Sequence, residues 1–328
     1  MDTRLLSLLR ESSPGWVSSE VLRQVDGVSR VTISKRVQKL QGLGYKIESS
    51  TRKGYRLLGE PNDLHADDLK ARLAGTDFYA TPFILKQETG STNDDLRKLA
   101  EEGAPEGTVL FSERQREGRG RRGRTWYSQP GDSLLFSLLL RPPFPPGQGT
   151  LIPLLAATAV YRALTSMGID NVGIKWPNDV LIEDKKVCGI LCEMSVSLEG
   201  IEYALLGMGL NVSTPAGDFP EELQSIACSL NSATGKQWDR ADVMVQILED
   251  MAHLIQQLWD GDTASILEGW KEGAVTPGQQ VDVTLGDGSR VSGQARGVTQ
   301  EGALVLKLND GSERVFHSGE VSVRPTTL

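Results

Sequence analysis

Cysteine is scarce in this chain, which has three in 328 residues: Cys188, Cys192 and Cys228. A small, odd number of cysteines in a long chain argues against a disulfide framework and favours a reducing compartment, the cytoplasm. Cys188 and Cys192 stand four residues apart in an apolar run, with no histidine or further cysteine nearby. This pattern is more typical of packing in a core than of a metal site.

Long apolar runs are also lacking. No run of the sequence approaches the roughly 20 apolar residues that a membrane-spanning helix needs. Residues 1–6 form an amphipathic start, which is not the pattern of a signal peptide. We therefore expect a cytoplasmic protein that does not associate with membranes.

Positive charge is concentrated at the beginning of the chain. The net charge is −8, yet residues 1–60 hold eleven Lys or Arg and only six Asp or Glu, so the remainder is strongly acidic. A small basic segment on an acidic body indicates that the first part alone meets a polyanion. The length of 328 residues suggests two or three domains.

The basic segment has the pattern of a winged helix-turn-helix. Apolar spacing predicts short helices over 5–10 and 18–24, and a third helix over 30–41 that Ser29 caps. Two strands, 45–48 and 54–58, follow around a polar turn. The third helix would be the recognition helix, since its start carries polar and basic residues. The alternative is a small helical interaction domain, which the basic charge disfavours.

Five residues at the start of the third helix are candidate DNA contacts: Ser29, Arg30, Thr32, Ser34 and Lys35. Residues 60–63 would form a linker, so we expect the DNA-binding domain to span 1–62.

A glycine- and arginine-rich stretch, Gln115–Trp126, is the most unusual part of the sequence. Gly118, Gly120 and Gly123 alternate with four arginines, which suits neither a helix nor a buried strand. It predicts a mobile loop whose backbone and guanidinium groups bind a phosphate or a carboxylate. Alone, the stretch is equally compatible with a solvated surface loop or a nucleic-acid contact.

Three further polar stretches lie between apolar runs. Ser91, Thr92 and Asn93 form a turn before a predicted helix over 94–102, where the polar head of a small ligand often binds. Lys175, Asn178 and Asp179 surround Pro177 between two short strands, and they must be paired or face a site. Gly207 and Gly209 alternate in a strand, which indicates that something approaches its backbone closely.

The rest of the chain predicts an α/β body and a small β-barrel. Strands are expected at 83–88, 109–113, 133–140, 187–196 and 201–210, and helices at 66–73, 151–167, 219–232, 240–259 and 263–270. After Pro277, two Asp-Gly turns stand between alternating strands, which is a hairpin signal.

Taken together, the motifs resemble those of the bifunctional biotin protein ligases, also called biotin operon repressors. The resemblance covers the whole chain and depends on Ser-Thr-Asn at 91–93, Gly-Arg-Gly-Arg-Arg-Gly-Arg at 118–124 and Lys-Trp-Pro-Asn-Asp at 175–179. It implies a catalytic domain at 63–273, with a mixed sheet like that of class II aminoacyl-tRNA synthetases. An SH3-like barrel is implied at 274–328.

The resemblance also implies residue roles. Lys186 and Arg121 would carry the catalysis. The biotin-binding residues would be Ser91, Thr92, Asn93, Gln115, Arg119, Gly120, Arg121, Lys186, Gly207 and Gly209. The nucleotide-binding residues would be Arg121, Trp126, Lys175, Asn178, Asn211 and Arg324. No protein-bound metal site is expected, because Mg²⁺ would enter with ATP.

The implied reaction joins biotin and ATP into biotinyl-5′-AMP and then transfers biotin to a lysine of biotin carboxyl carrier protein. The implied repressor binds an inverted repeat of operator DNA as a homodimer that biotinyl-AMP promotes. Two alternatives remain open. One is a transcription factor that senses biotin without ligase activity, and the other is a ligase for lipoate or octanoate.

Overall fold

The structure is a computed structural model that describes residues 3–59 and 64–323. Its contacts divide the chain into two compact units, Met1–Tyr79 and Ala80–Leu328. The predicted linker over 60–63 and the predicted nucleotide contact Arg324 lie outside the described residues.

The first unit contains the predicted helices and the two-stranded wing. Its elements in chain order are α1 (Thr3–Glu11), α2 (Ser19–Asp26), α3 (Arg30–Gly42), β1 (Lys46–Ser50), β2 (Gly54–Gly59) and α4 (Ala66–Arg72). β1 and β2 pair antiparallel. Apolar residues from all three N-terminal helices and both strands share one core, including Leu6, Leu22, Val37, Ile47 and Leu57.

Side-chain caps define where the recognition helix and its predecessor begin. Ser18 Oγ accepts a hydrogen bond from Val21 N at 3.1 Å, and Ser29 Oγ accepts one from Thr32 N at 3.2 Å. Gly27 ends α2 with a positive φ of 64°, a conformation that glycine adopts without strain. The sequence therefore positions the turn between α2 and α3 by local chemistry alone.

Helix α4 packs on α1 through one buried carboxylate. Asp68 accepts hydrogen bonds from Arg10 at 2.7 and 2.9 Å, and from Arg72 at 3.1 Å. Burial alone would raise the pKa of Asp68, but the two arginines outweigh it and the pKa lies below its usual value.

A mixed sheet forms the body of the second unit. Its strands are β3 (Phe83–Lys86), β4 (Val109–Ser112), β5 (Ser133–Leu140), β6 (Val172–Lys175), β7 (Asp179–Ile182), β8 (Lys185–Ser197) and β9 (Gly200–Asn211). Among the described residues, they lie in the order β3-β4-β5-β9-β8-β7-β6. β3 and β4 are parallel, and the other neighbours are antiparallel.

Helices cover this sheet: α5 (Thr92–Glu101), α6 (Leu151–Ser166), α7 (Glu221–Gln224), α8 (Leu230–Thr234), α9 (Arg240–Trp259) and α10 (Thr263–Gly273). α5 packs on β4, β5 and β9, whereas α6 packs on α9, α10 and the strands β6 to β9. None of the described helices combines the length and the apolar character that a membrane span requires.

The predicted helix over 219–232 was wrong. The chain makes two short helices there, and residues 225–229 between them are not helical. Lys186 N donates to Ile226 O at 2.8 Å, and Cys228 N donates to Lys186 O at 3.0 Å. Pairing with the first residues of β8 therefore outweighs the helical propensity of this segment.

The chain ends in a small antiparallel sheet, as its hairpin signals predicted. Its strands are β10 (Gln280–Thr284), β11 (Arg290–Val298), β12 (Leu304–Lys307), β13 (Glu313–Phe316) and β14 (Glu320–Val323). In the part of the chain that the structure describes, their order is β13-β12-β11-β10-β14. Trp176 joins this sheet to the body, because its indole is 1% exposed and donates to Gly302 O at 3.1 Å.

Candidate functional site

A cavity of about 430 Å³ opens in the second unit, and residues far apart in the sequence line it. Predicted biotin contacts and predicted nucleotide contacts meet there. The lining includes Ser91, Thr92, Asn93, Gln115, Arg119, Gly120, Arg121, Trp126, Lys175, Asn178, Lys186, Gly207, Gly209 and Asn211. A cavity of this size suits a small ligand.

The Ser91–Asn93 turn is fixed by side chains from two other elements. Ser91 occupies the N-cap position of α5, but its side chain makes no capping bond. Gln115 Oε1 instead accepts from Thr92 N at 2.7 Å. Ser137 Oγ, on β5, lies 2.7 Å from Thr92 Oγ1 and donates to Asn93 Oδ1 at 2.6 Å. The turn is therefore rigid before any ligand binds.

Glycines on β8 and β9 form the floor of the cavity. Gly189 pairs with Gly209, and Leu191 pairs with Gly207, so these positions share one face of the sheet. A Cβ on Gly207 would lie 2.5 Å from Asn93 Oδ1, and one on Gly209 would lie 2.5 Å from Trp126 Cε2. Because Gly207 and Gly209 have no Cβ, the side chains of Asn93 and Trp126 can lie directly against the backbone of β9.

Trp126 covers the glycine floor. Its indole Nε1 is buried and has no hydrogen-bond partner among the described residues. Lys186 Nζ lies 5.5 Å from the ring centroid. An unsatisfied buried N–H next to a cavity is a group that a ligand acceptor could satisfy.

If the cavity holds biotin, as the resemblance implies, Gly209→Ala is expected to weaken its binding by about tenfold or more, because the added methyl would displace the Trp126 ring from the floor. Overpacking of this kind typically costs about 1–3 kcal/mol of stability. Calorimetric titration with biotin and thermal unfolding would measure the two effects.

Gly286→Ala is the matched control, since a Cβ there meets no atom within 4 Å. If Gly209→Ala bound biotin as tightly as the control does, the assignment of Gly209 to the floor of the cavity would be wrong.

The glycine- and arginine-rich stretch folds into a tight hairpin at the cavity. Gly120 N donates to Arg124 O at 2.7 Å, and Trp126 N donates to Gly118 O at 2.9 Å. Arg122 has a positive φ of 59°, which is uncommon for a residue other than glycine. The segment is therefore a hydrogen-bonded hairpin, and the backbone of Arg122 at its tip is strained.

The arginines of the loop contact three different elements. Arg119 bonds Asp94 on α5. Arg121 donates to Asn178 Oδ1 at 3.3 Å and to Gly319 O at 2.9 Å. Burial lowers the pKa of Arg121, although a guanidinium stays protonated at neutral pH.

Sequence reasoning missed the contribution of the C-terminal sheet to this loop. Arg124 forms an ion pair with Glu320 at 2.5 Å, and Arg122 donates to Thr284 O at 2.8 Å. Glu320 and Val321 also line the cavity. No local signal marks these residues, because their role depends on how the last strand packs.

Lys186 lies beside Trp126, at the end of the arginine loop, and pairs with Asp179. Its Nζ is 2.6 Å from Asp179 Oδ1, and both side chains are about one-quarter to one-third exposed, at 34% and 24%. Asn178, next to Asp179, donates through Nδ2 to Ile190 O at 2.7 Å, which leaves Oδ1 for Arg121. Lys186 and Arg121 thus line the cavity and contact two consecutive residues, Asp179 and Asn178.

Two remaining predicted nucleotide contacts differ in their surroundings. Asn211 is 3% exposed and donates to Cys228 O at 3.1 Å. Lys175 lines the cavity and forms no ion pair with any residue that the structure describes. Lys175 is therefore available to an anionic ligand, whereas Asn211 is already committed to holding the 225–229 segment.

An apolar wall that the sequence did not suggest borders the same cavity. Phe219, Leu223 and Ile226 line it, and Ile226 is 57% exposed. The Tyr127 ring lies tilted by 52° against Phe219 at a centroid distance of 6.2 Å, and its hydroxyl donates to Asp218 O. The wall offers a flat ligand an apolar surface next to the cations.

The candidate DNA contacts lie on the outer face of the first unit. Ser29, Arg30 and Lys35 are exposed, while Thr32 and Ser34 are half-buried. Ser29 Oγ and Thr32 Oγ1 lie 3.0 Å apart, so these hydroxyls also serve the helix cap. Arg30 and Lys35 are the freer pair for contacts with a polyanion.

Thiol chemistry is not available near the cavity. Burial raises the pKa of Cys188 to about 12 and that of Cys228 to about 11, so both stay protonated at neutral pH. Among the described residues, no group of three or more His, Cys, Asp or Glu is arranged to hold a metal ion.

Comparisons with known proteins bear on each part of the chain. Residues 85–211 match the biotin/lipoate A/B protein ligase family, and 276–324 match the biotin protein ligase C-terminal domain. Residues 3–56 match a helix-turn-helix domain. The bifunctional ligase/repressor BirA of Bacillus spizizenii is 33% identical over 312 residues, which are 95% of this chain and 95% of that protein. The chain belongs to the bifunctional ligase/repressor family.

Other members of the bifunctional ligase/repressor family and a solved ligase agree with this. BirA of Escherichia coli is 27% identical over 98% of this chain and 96% of its own length. A biotin protein ligase from Aquifex aeolicus, solved in complex with biotin and ATP, is 31% identical with a TM-score of 0.64. The structural match covers 75% of this chain and 99% of the Aquifex aeolicus chain. The prediction of a ligase joined to a helix-turn-helix domain is therefore confirmed.

Proposed function

We propose that the cavity binds biotin and ATP side by side and joins them into biotinyl-5′-AMP. The observation that carries the proposal is the convergence of Lys186, Arg121 and Arg119 on one cavity whose floor is glycine. Biotin carboxylate and ATP are both anions, so cations are needed where they meet.

The chemistry is an acyl adenylation followed by acyl transfer. A carboxylate oxygen of biotin attacks the α-phosphorus of ATP, and the bond to pyrophosphate breaks. The amine of an acceptor lysine then attacks the carbonyl of the mixed anhydride, forms an amide, loses a proton and releases AMP. Lys186 and Arg121 would stabilise the charge that gathers between the two reactants.

The two halves of the cavity suit the two substrates. We assign the biotin head to the rigid turn over Gly207, and its carboxylate to Lys186 and the arginine loop. Its contacts would be Ser91, Thr92, Asn93, Gln115, Arg119, Gly120, Arg121, Lys186, Gly207 and Gly209. We assign the nucleotide to the apolar wall beside Trp126, with Arg121, Lys175 and Asn178, and with Arg324 from outside the described residues. Asn211 would serve this side by holding the 225–229 segment, which carries Ile226 of the wall.

Mg²⁺ would arrive with ATP. This ion usually keeps several waters and is shared between substrate phosphates and one or two carboxylates. Asp179, Asp184 and Glu320 are the carboxylates in the described lining of the cavity, and the ion would be shared with one of them. Mg²⁺ would supply charge neutralisation to the leaving pyrophosphate.

The acceptor would be a lysine of biotin carboxyl carrier protein. The alternative substrate, lipoate or octanoate, lacks the ureido group that a polar turn recognises by hydrogen bonds. Competition between biotin and lipoate in pyrophosphate exchange separates these acids. Exchange that lipoate supports as well as biotin does would overturn the assignment to biotin.

We further propose that the chain represses transcription through α3. Arg30 and Lys35 would contact DNA at its start, together with Ser29, Thr32 and Ser34. One short helix gives a small footprint, so two copies related by a twofold axis would read an inverted repeat.

The sheet offers a surface for such a homodimer. β7 pairs with β8 only as far as Gly189, so residues 190–197 of β8 have no strand on that side among the described residues. Met194, Val196 and Leu198 are exposed there. An unpaired strand edge next to apolar side chains favours association with a second copy.

Biotinyl-AMP would promote the dimer. In the structure Arg119 pairs with Asp94 and Arg121 donates to Gly319 O, and an anion in the cavity would compete for both guanidinium groups and so change how the loop is held. Binding of biotinyl-AMP would then stabilise the dimer. By linkage, dimerisation would raise the affinity for biotinyl-AMP by the same factor. When carrier protein is plentiful it uses up the adenylate, and repression is lifted.

Biotinyl-AMP is therefore expected to shift the chain from monomer to dimer and to permit binding to its operator. Analytical ultracentrifugation with and without adenylate measures the first effect, and a footprint on the chain's own upstream DNA measures the second. A dimer that forms equally without ligand would remove the switch. DNA binding that survives deletion of residues 1–62 would remove α3 from the account.

We place the domain boundaries after residues 62 and 273, and the protein in the cytoplasm. That compartment supplies ATP and carrier proteins, and it would keep the free thiols of Cys188, Cys192 and Cys228 reduced.

A further inference from the structure

Glu193 stands on β8 just beyond the cavity and is not among the described residues that line it. It follows Gly189 and Leu191 at spacings of two, so its side chain projects from the same face of the sheet as theirs. Strand pairing sets it opposite Leu205 of β9. This position brings the carboxylate of Glu193 within hydrogen-bonding distance of Asn93, in the Ser91–Asn93 turn.

The carboxylate of Glu193 fixes which way the amide of Asn93 points. Asn93 Nδ2 donates to Glu193 Oε2 at 2.7 Å, while Asn93 Oδ1 accepts from Ser137 at 2.6 Å. Asn93 is 3% exposed, so an unpaired amide there would be costly. With both ends held, the amide lies over Gly207 in one orientation.

The same carboxylate also reaches the arginine loop through two intermediates. Arg97 Nη2 lies 3.2 Å from Glu193 Oε2, and Arg97 Nη1 donates to Asp94 Oδ1 at 3.0 Å. Asp94 in turn bonds Arg119 of the loop. Burial alone would raise the pKa of Asp94, but Arg119 and Arg97 outweigh it and lower the pKa. The carboxylate of Asp94, which joins Arg97 to Arg119, therefore stays ionised at neutral pH.

We propose that Glu193 is a positioning residue for biotin, which holds the Asn93 amide and the Arg97–Asp94–Arg119 chain in the geometry that the ligand meets. This inference rests on the proposed function of the cavity. Glu193 lies outside the described lining of the cavity and acts through Asn93 and Arg97, so its removal should loosen ground-state binding of biotin more than it slows the chemical step. ATP, bound on the other side, should be little affected.

Three variants separate the possible roles. Glu193→Ala removes both bonds. Glu193→Gln keeps an oxygen acceptor for Asn93 and loses the charge that pairs with Arg97. Glu202→Ala is the matched control, because it removes a carboxylate on the adjacent strand β9 that accepts a hydrogen bond from Ser195 Oγ at 2.7 Å, outside the network.

Calorimetric titration with biotin alone and pyrophosphate-exchange kinetics are the two measurements. We expect Glu193→Ala to weaken biotin binding and raise KM for biotin by about tenfold or more, the size of effect seen when a buried donor loses its acceptor. We expect kcat and KM for ATP to change by less than about threefold, and Glu193→Gln to recover most of the biotin affinity. Glu202→Ala should match the parent.

Several results would overturn the inference. One is a Glu193→Ala variant that binds biotin with the affinity of the parent. Another is an equal loss of biotin affinity in Glu193→Gln and Glu193→Ala together with a large fall in melting temperature, because that result would assign Glu193 to stability alone. A parent chain that neither binds biotin nor exchanges pyrophosphate would refute the proposed function itself, and the inference with it.

Discussion

Replacement of Arg121 by glycine is expected to release biotinyl-AMP from the cavity. Arg121 reaches the cavity between Asn178 and Gly319, where its guanidinium can form a charge-assisted fork with the adenylate phosphate. Loss of a hydrogen bond to a charged group costs about 1.5–3 kcal/mol, which corresponds to roughly tenfold to 150-fold faster release. The glycine variant also loses the hydrogen bond from Arg121 to Gly319 O, one of the contacts between the loop and the C-terminal part of the chain.

Two consequences of Arg121→Gly can be measured. Dissociation of preformed biotinyl-AMP, followed by stopped-flow fluorescence, should accelerate. The freed adenylate should then label lysines of bystander proteins, which a blot with labelled streptavidin detects.

Arg116→Gly is the control for Arg121→Gly, since Arg116 is exposed and pairs with Glu88 away from the cavity. Arg121→Lys adds a second comparison, because it keeps the charge and loses the fork. Adenylate retention by Arg121→Gly that equals the parent's would show that Arg121 has been given the wrong role.

Replacement of Lys186 by alanine is expected to abolish most adenylation while the fold survives. Lys186 Nζ neutralises Asp179 at 2.6 Å, and both line the cavity. The alanine variant both removes a cation and exposes an unpaired carboxylate to two anionic substrates. Loss of one donor to a developing negative charge typically costs about 10²–10³-fold in rate.

Pyrophosphate exchange measures the loss, and thermal unfolding checks the fold. Lys185→Ala is a close control, because Lys185 precedes Lys186, is exposed and lies outside the described lining of the cavity. An exchange rate for Lys186→Ala that matches Lys185→Ala would refute the role of Lys186.

Much of the fold followed from local patterns in the sequence. Ser29 caps the helix that it was expected to begin, and the alternating strands after Pro277 form antiparallel pairs. Binary patterns were sufficient there because each element depends mainly on its own residues. The segment over 219–232 failed for the opposite reason, since its extended part is held by Lys186, about forty residues earlier.

The candidate site was predictable where unusual residue types signalled it. Four arginines among three glycines, or a lysine beside Trp-Pro-Asn-Asp, have few structural explanations. Ser137, Glu193 and Glu320 had no such signal, because a serine or a glutamate in a strand is ordinary until the partner across the sheet is known. Their contacts depend on pairings between β5, β8, β9 and β14 that no local pattern specifies.

The most direct test of the account is transfer of biotin to a carrier. The full chain is incubated with biotin, Mg·ATP and an isolated biotin carboxyl carrier domain, and the mass of the carrier is followed by mass spectrometry. The account predicts that the carrier gains the mass of one biotinyl group, on a single lysine, only when both biotin and ATP are present. A carrier whose mass stays unchanged at every concentration of a folded, biotin-binding chain would contradict it and leave a sensor without ligase activity.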